Sequence, residues 1–135
     1  MPYNIRAVQN AVHTVLAANA GVQALLGSPV RLFDHAPPAT AYPFVRYGDQ
    51  RAEAARTREP SELAIAFTLE TYSRYRGRTE LRQIEEAIVT ALHNTTITVD
   101  DGTVAHCQFL QSDQDIEPDG LTYRGALRFR IVTYI

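Results

Sequence analysis

The chain has 135 residues, a formal charge of −2, 45% hydrophobic and 21% charged content. These values describe one ordinary globular domain, residues 1–135, long enough to bury a core; a single cysteine, Cys107, excludes an internal disulfide framework and fits a reducing compartment. No window supplies the roughly 20 predominantly apolar residues of a bilayer span, and the apolar run near the start, broken by His13, Asn19 and Gln23, lacks the basic leader of a signal peptide, so the chain is expected to stay in the cytosol.

Ile5, Val8, Val12, Val15 and Leu16 recur at three-four spacing and predict an amphipathic helix over residues 4–18, capped at Asn4. "NAGVQALLG" predicts a break and a further helical turn ending at Gly27, with Val22, Leu25 and Leu26 turned inward. Pro29, Pro37, Pro38 and Pro43 then exclude helix and favour an extended segment with a short strand over 30–33. "FVRYGDQ" predicts a strand, whereas residues 49–60, of mixed charge and without an apolar period, predict a mobile excursion at the end of a hairpin. In "ELAIAFTLETYS", Leu63, Ile65, Phe67 and Leu69 alternate with Ala64, Ala66, Thr68 and Glu70, the period of a half-buried strand.

The period returns to that of a helix at Leu81, Ile84, Ala87, Ile88, Ala91 and Leu92, predicting a second long helix over 79–93. Its entry, "SRYRGRTE", holds Arg74, Arg76 and Arg78; Gly77 permits the turn, Thr79 or Gly77 is expected near the cap, and Glu80 falls in the first turn, where the helix dipole favours a negative charge. Arg78 and Arg82 are expected to pair with Glu85 and Glu86 along the helix. "TITVDDGTVAHCQFLQ" reads as two strands joined at Asp101 and Gly102, and "SDQDIEPDG" as a turn-rich connection. "LTYRGALRFRIVTYI" closes the chain as a long strand with Tyr123, Leu127, Phe129 and Ile131 on one face, and Thr122, Arg124, Arg128 and Arg130 on the other; Gly125 marks a bulge or close packing. The order predicts an α+β fold: a single domain with a mainly antiparallel sheet and two long helices packed on one face.

Catalytic chemistry finds little footing. His13, His35, His93 and His106 are scattered without metal-ligand spacing, and His106 and Cys107 point to opposite faces of a strand. No nucleophile elbow or glycine-rich phosphate loop is present, so neither a metal nor a cofactor is expected, and Cys107 reads as a small core residue. All thirteen basic side chains are arginine, yet a sequence pI near 6.1 opposes a nucleic-acid module. Arg124, Arg128 and Arg130 on the last strand, with Arg51, Arg56 and Arg58 in the excursion, read as a partner-protein face or as a solvated outer face of the sheet.

The segments "P..AYPFV" near residue 42, "YSR..G..E" from Tyr72, and "DGLT.RG.LRFR" from Asp119 together resemble the tail-completion or tail-terminator family of long-tailed bacteriophages, prophages and phage-derived gene transfer agents, and the likeness covers nearly the whole chain. That resemblance implies a non-enzymatic subunit of a typically hexameric ring at the head-proximal end of the tail tube. The ring stops tube polymerisation and offers a surface to a head-side connector. It implies as partners the chain itself, the tube protein and a connector or stopper, with no membrane and no specific nucleic acid, though DNA passes through such a ring. It implies assembly in the producing cell's cytoplasm and residence in the particle's tail. A closed ring needs two different complementary faces on each subunit. The arginine face of the last strand and an acidic edge at Asp113, Asp115, Glu117 and Asp119 are the expected pair, with Arg74 and Arg76 as further contacts. A head-tail joining or minor tail protein of the same fold stays open, as does a small ligand-binding domain or enzyme using the His35 region.

Overall fold

The structure, a computed structural model, describes residues 5–35, 37–56, 59–99 and 104–134, with side chains described at all of these except 55–56, 59–62 and 134. The three-four stripe forms the helix Ile5–Ala18 (α1), burying Val8, Val12 and Leu16. Asn19 ends it and caps the next helix, Ala20–Leu26 (α2): its side-chain oxygen accepts from the Val22 N–H at 3.1 Å, satisfying one of the helix's orphan donors. Gly27, at φ 89°, closes α2 by donating to the Gln23 carbonyl. The predicted cap at Asn4 lies outside the described residues. The first strand, Leu32–Phe33 (β1), is shorter than expected, because Val30 still belongs to the turn that follows α2.

Phe44–Arg56 (β2) and Glu59–Ser73 (β3) form one long antiparallel ribbon, with Ala54 opposite Leu63 and Arg56 opposite Glu59. The expected excursion at 49–60 is therefore mostly strand; residues 57–58 lie outside the described residues. The missing apolar period has a simple cause: β6 pairs with β3 only from Ala64 onward, so the ribbon's end is held by its own backbone ladder and has less core to face.

Thr79–Leu92 (α3) follows, capped by Arg78 without a side-chain hydrogen bond, so neither Thr79 nor Gly77 serves as the cap. Instead Gly77 takes a positive φ of 78°, and Ser73 Oγ donates to Glu80 at 2.7 Å while accepting from the Tyr75 N–H. Thr95–Thr98 (β4), Val104–Ile116 (β5) and Tyr123–Tyr134 (β6) complete the sheet. β5 runs through most of the segment read as a turn, because Ser112 to Ile116 pair in register with Leu127 to Tyr123. The predicted turn at Asp101 and Gly102 lies outside the described residues.

The strand order is β1-β2-β3-β6-β5-β4, antiparallel throughout except for the parallel pair of β1 and β2. The inner face carries Leu63, Ile65, Phe67 and Leu69 beside Leu127, Phe129 and Ile131, with Phe67 and Phe129 stacked at 5.4 Å. The two long helices form one layer against it as expected, joined by the short α2, which packs on both α1 and α3. No helix among the described residues is long and apolar enough to cross a membrane.

Gly125 keeps strict register between Thr71 and Gln114, so it marks close packing rather than a bulge. A Cβ there would stand 2.5 Å from Glu85 Oε2 and 3.5 Å from Leu81. Glu85 is thus turned inward, only 6% exposed, and does not pair with Arg78 or Arg82 as expected. Its Oε1 accepts from Gln114 at 2.6 Å, whereas Oε2 has no partner. Burial pushes its carboxyl above the ordinary range against the opposing pull of Gln114 and Arg82.

A carboxyl raised by folding favours the fold while protonated, and that contribution is lost as pH rises through the folded value. Glu85→Gln should therefore stabilise the chain near neutral pH by about 1 kcal/mol. The gain should shrink as pH falls into the ordinary carboxylate range, as read from urea melts across pH; an equal gain at all pH values would contradict a buried charge.

Candidate functional site

The face of the sheet opposite the helices holds Arg51, Arg124, Arg128 and Arg130 of the arginines singled out in sequence. Antiparallel register places Arg46, Glu70, Ala126 and Asp113 in one row, and Phe44, Tyr72, Arg124 and Asp115 in the next. Glu70 sits at the centre, 8% exposed. Arg46 Nη2 meets its Oε1 at 2.6 Å, Arg46 Nε donates to the same oxygen at 3.1 Å, and Arg124 Nη2 binds Oε2. The Tyr72 hydroxyl accepts from Arg46 at 2.9 Å. Burial alone would raise Glu70's carboxyl, but the two guanidiniums together outweigh it and hold the group below the ordinary range. Gly48, in the bulge between Tyr47 and Gln50, leaves the space: a Cβ there would lie 3.1 Å from the Glu70 side chain.

The expected acidic edge is not a separate face. Arg124 reaches Asp115 at 3.9 Å, Arg128 reaches Asp113 at 3.7 Å and also donates to Thr68, and Arg74 reaches Asp119 at 3.6 Å. Two of these pairs form because β5 and β6 are hydrogen-bonded neighbours, and the third joins the end of β3 to the turn between them. Glu117 closes the β5–β6 turn through its backbone, with its N–H donating to the Thr122 carbonyl. Arg51 contacts Glu53 at 3.8 Å and remains 80% exposed. Arg76 and Arg130 are exposed; Arg56 lies on β2, and Arg58 is outside the described residues.

One corner gathers the three segments that carried the sequence resemblance. Arg74 lies over the Tyr42 ring at 4.3 Å and donates to Thr122 at 3.0 Å beside Asp119. Tyr42, Phe44 and Tyr72 form a run of rings with centroid spacings of 5.1 and 5.0 Å, extended by Phe33 against Phe44. Asp119 accepts from the Leu121 and Thr122 N–H groups and the Thr122 hydroxyl, which hold its carboxyl below the ordinary range. Ile116, Leu121 and Tyr75, three of the large apolar side chains left exposed, flank the strand ends at this corner.

The histidines do not converge. His35 is exposed, and the cavity beside its loop is lined by Pro37, Ala39, Thr40, Ala41, Tyr42, Phe44 and Arg74 without it. His93 accepts from the Phe109 N–H, and His106 meets Thr96. No group of three or more potential metal ligands occurs among the described residues. Cys107 is fully buried, its thiol pushed up to about 12, as befits a core residue. Sequence reasoning missed Arg46, Tyr42, Tyr72 and Glu70. The available signal was Glu70 itself, the one acid between Leu63 and Ser73 in an otherwise apolar or neutral strand.

The chain is thus an α+β domain with a helix-covered inner face and an outer face on which arginines and acids are paired. The fold is that of a chain from the virion of a native gene transfer agent particle: TM-score 0.80 at 21% identity, covering 98% of each chain. Residues 10–134 match the family described as tail completion protein gp17, and the chain belongs to that family of phage-type tail components. No curated protein matches it.

Two outcomes test this surface. Glu70's carboxyl titrates lower in the folded chain than in the unfolded one, so its contribution is complete above the ordinary carboxylate range and lost as pH falls through the depressed folded value. Glu70→Gln should cost about 1–2 kcal/mol at neutral pH, a figure discounted because Arg46 and Arg124 stay 43% and 30% exposed, and the difference should vanish in strong acid. Arg74→Ala should speed amide exchange at both 40–44 and 117–122 by about threefold to tenfold while the sheet interior is unaffected. Loss of protection in only one of the two segments would show that Arg74 does not join them.

Proposed function

We propose that this chain is a tail terminator subunit. Copies of it, six in the reading favoured here, close into a ring at the head-proximal end of the tail tube, stop tube polymerisation and present a surface to a head-side connector. The observation that carries the reading is family membership over residues 10–134. A fold shared over 98% of a gene transfer agent virion chain supports it. Assembly would take place in the cytoplasm of the producing cell, and the role requires no catalysis.

The pattern of charges narrows which arginines serve subunit contacts. Arg74, Arg124 and Arg128 are engaged with acids of their own chain, so their first role is to stiffen the sheet and its corner. Arg51, Arg76 and Arg130 project from the surface and are the stronger candidates for contacts between molecules, joined by Arg56 and Arg58 on sequence grounds. The exposed Ile116, Leu121 and Tyr75 at the corner give an apolar component to a docking surface for the tube or the connector.

Particles produced without this chain should carry tails of abnormal, unregulated length and lack stable heads on those tails, scored by electron microscopy. Tails of normal length that merely lack heads would overturn termination in favour of a joining role.

A further inference from the structure

Both long edges of the sheet are covered only in part. β1 shields β2 only at Val45 and Arg46, and β4 shields β5 only from Val104 to Cys107. Register across the sheet shows that these stubs sit at opposite ends. Arg46 is level with Glu70, Ala126 and Asp113, whereas Cys107 is level with Ile131, Ile65 and Ala52. Among the described residues, β2 beyond Tyr47 and β5 from Gln108 to Ile116 therefore have no strand partner on their outer sides. One donor there, the Phe109 N–H, is taken by His93. Open edges of this length expose backbone donors and acceptors that seek another strand.

We propose that the β5 edge of one copy pairs with the β2 edge of the next, so that the seam between subunits is a continuous antiparallel sheet. This rests on the ring reading above. Within one chain, β2 and β5 run in opposite directions, being separated by three successive antiparallel pairings. A second copy placed alongside in the same sense thus continues the alternation and keeps its helices on the same side. Because the stubs lie at opposite ends, bringing the open segments together leaves β4 beyond one end of the seam and β1 beyond the other. Full overlap of the two segments sets Arg51 opposite Asp113. Both belong to the outer face, as their partners Ala66 and Ala126 do, and both are well exposed, 80% and 63% at their side chains. The two edges are different surfaces, which is what a closing ring requires.

The test is disulfide trapping in assembled particles carrying Arg51→Cys with Asp113→Cys in one chain. Those positions lie three strands apart within a molecule, about 14 Å across the sheet and offset by four residues along it, too far to bridge internally, and Cys107 is buried. Mild oxidation should shift most of the chain into a ladder ending at a closed species, while Arg51→Cys with Ser112→Cys, on opposite faces, should remain monomeric on a denaturing gel. Arg51→Cys with Asp115→Cys covers a register slip of two residues and would support the same seam. Melting of each variant before assembly establishes that it is folded. Rings visible by electron microscopy with no cross-link from either outer-face pair would overturn the seam and leave the ring standing. Particles in which folded wild-type chain forms no ring would overturn both.

Discussion

Glu70 is the residue on which the outer face depends. It belongs to β3, at the middle of the sheet, and its carboxylate joins Arg46 of β2 to Arg124 of β6, which reaches on to Asp115 of β5. Four strands are thereby tied by one buried acid, and Thr68 and Ala126 are buried beside it, Thr68 accepting from Arg128. A buried carboxylate is tolerated because two guanidiniums compensate the lost hydration. The bulge at Gly48 supplies room for it, so a local irregularity in β2 and the charge of β3 are one feature.

The two faces of the sheet treat acids in opposite ways. On the helix side Glu85 is held against Gly125 with one oxygen unpartnered, and burial favours its neutral form. On the open side Glu70 is held charged by its neighbours. The helix side is sealed by apolar packing and makes no provision for ions. The open side is a fixed charge lattice, already neutralised in large part, that a partner can meet without desolvating isolated charges.

Several arginines of this slightly acidic chain find their acids within it. Arg124 and Arg128 face acids across a strand pair, and Arg74 faces Asp119 across a corner. The three segments that resembled the tail-completion family turn out to be the three walls of that corner: Tyr42 and Phe44, Tyr72 to Glu80, and Asp119 to Arg124. Arg74 joins the first and third of them, and Phe44 stacks on Tyr72 of the second.

The sequence alone determined the elements and their faces. Helical spacing found α1 and α3, Gly27 and Asn19 marked the breaks, and strict alternation in β3 and β6 assigned each side chain to the correct side of the sheet. Those signals are local, since a side chain's face follows from the period of its own segment. Only the tertiary structure decided that the arginine strand and the acidic segment are neighbours, that Glu85 turns inward over Gly125, and that the charged stretch after Gly48 is a ladder rather than a loop. Each of those depends on which strand lies beside which. Strand order is set by packing across the whole sheet, and period-two alternation reads the same whatever neighbour a strand acquires.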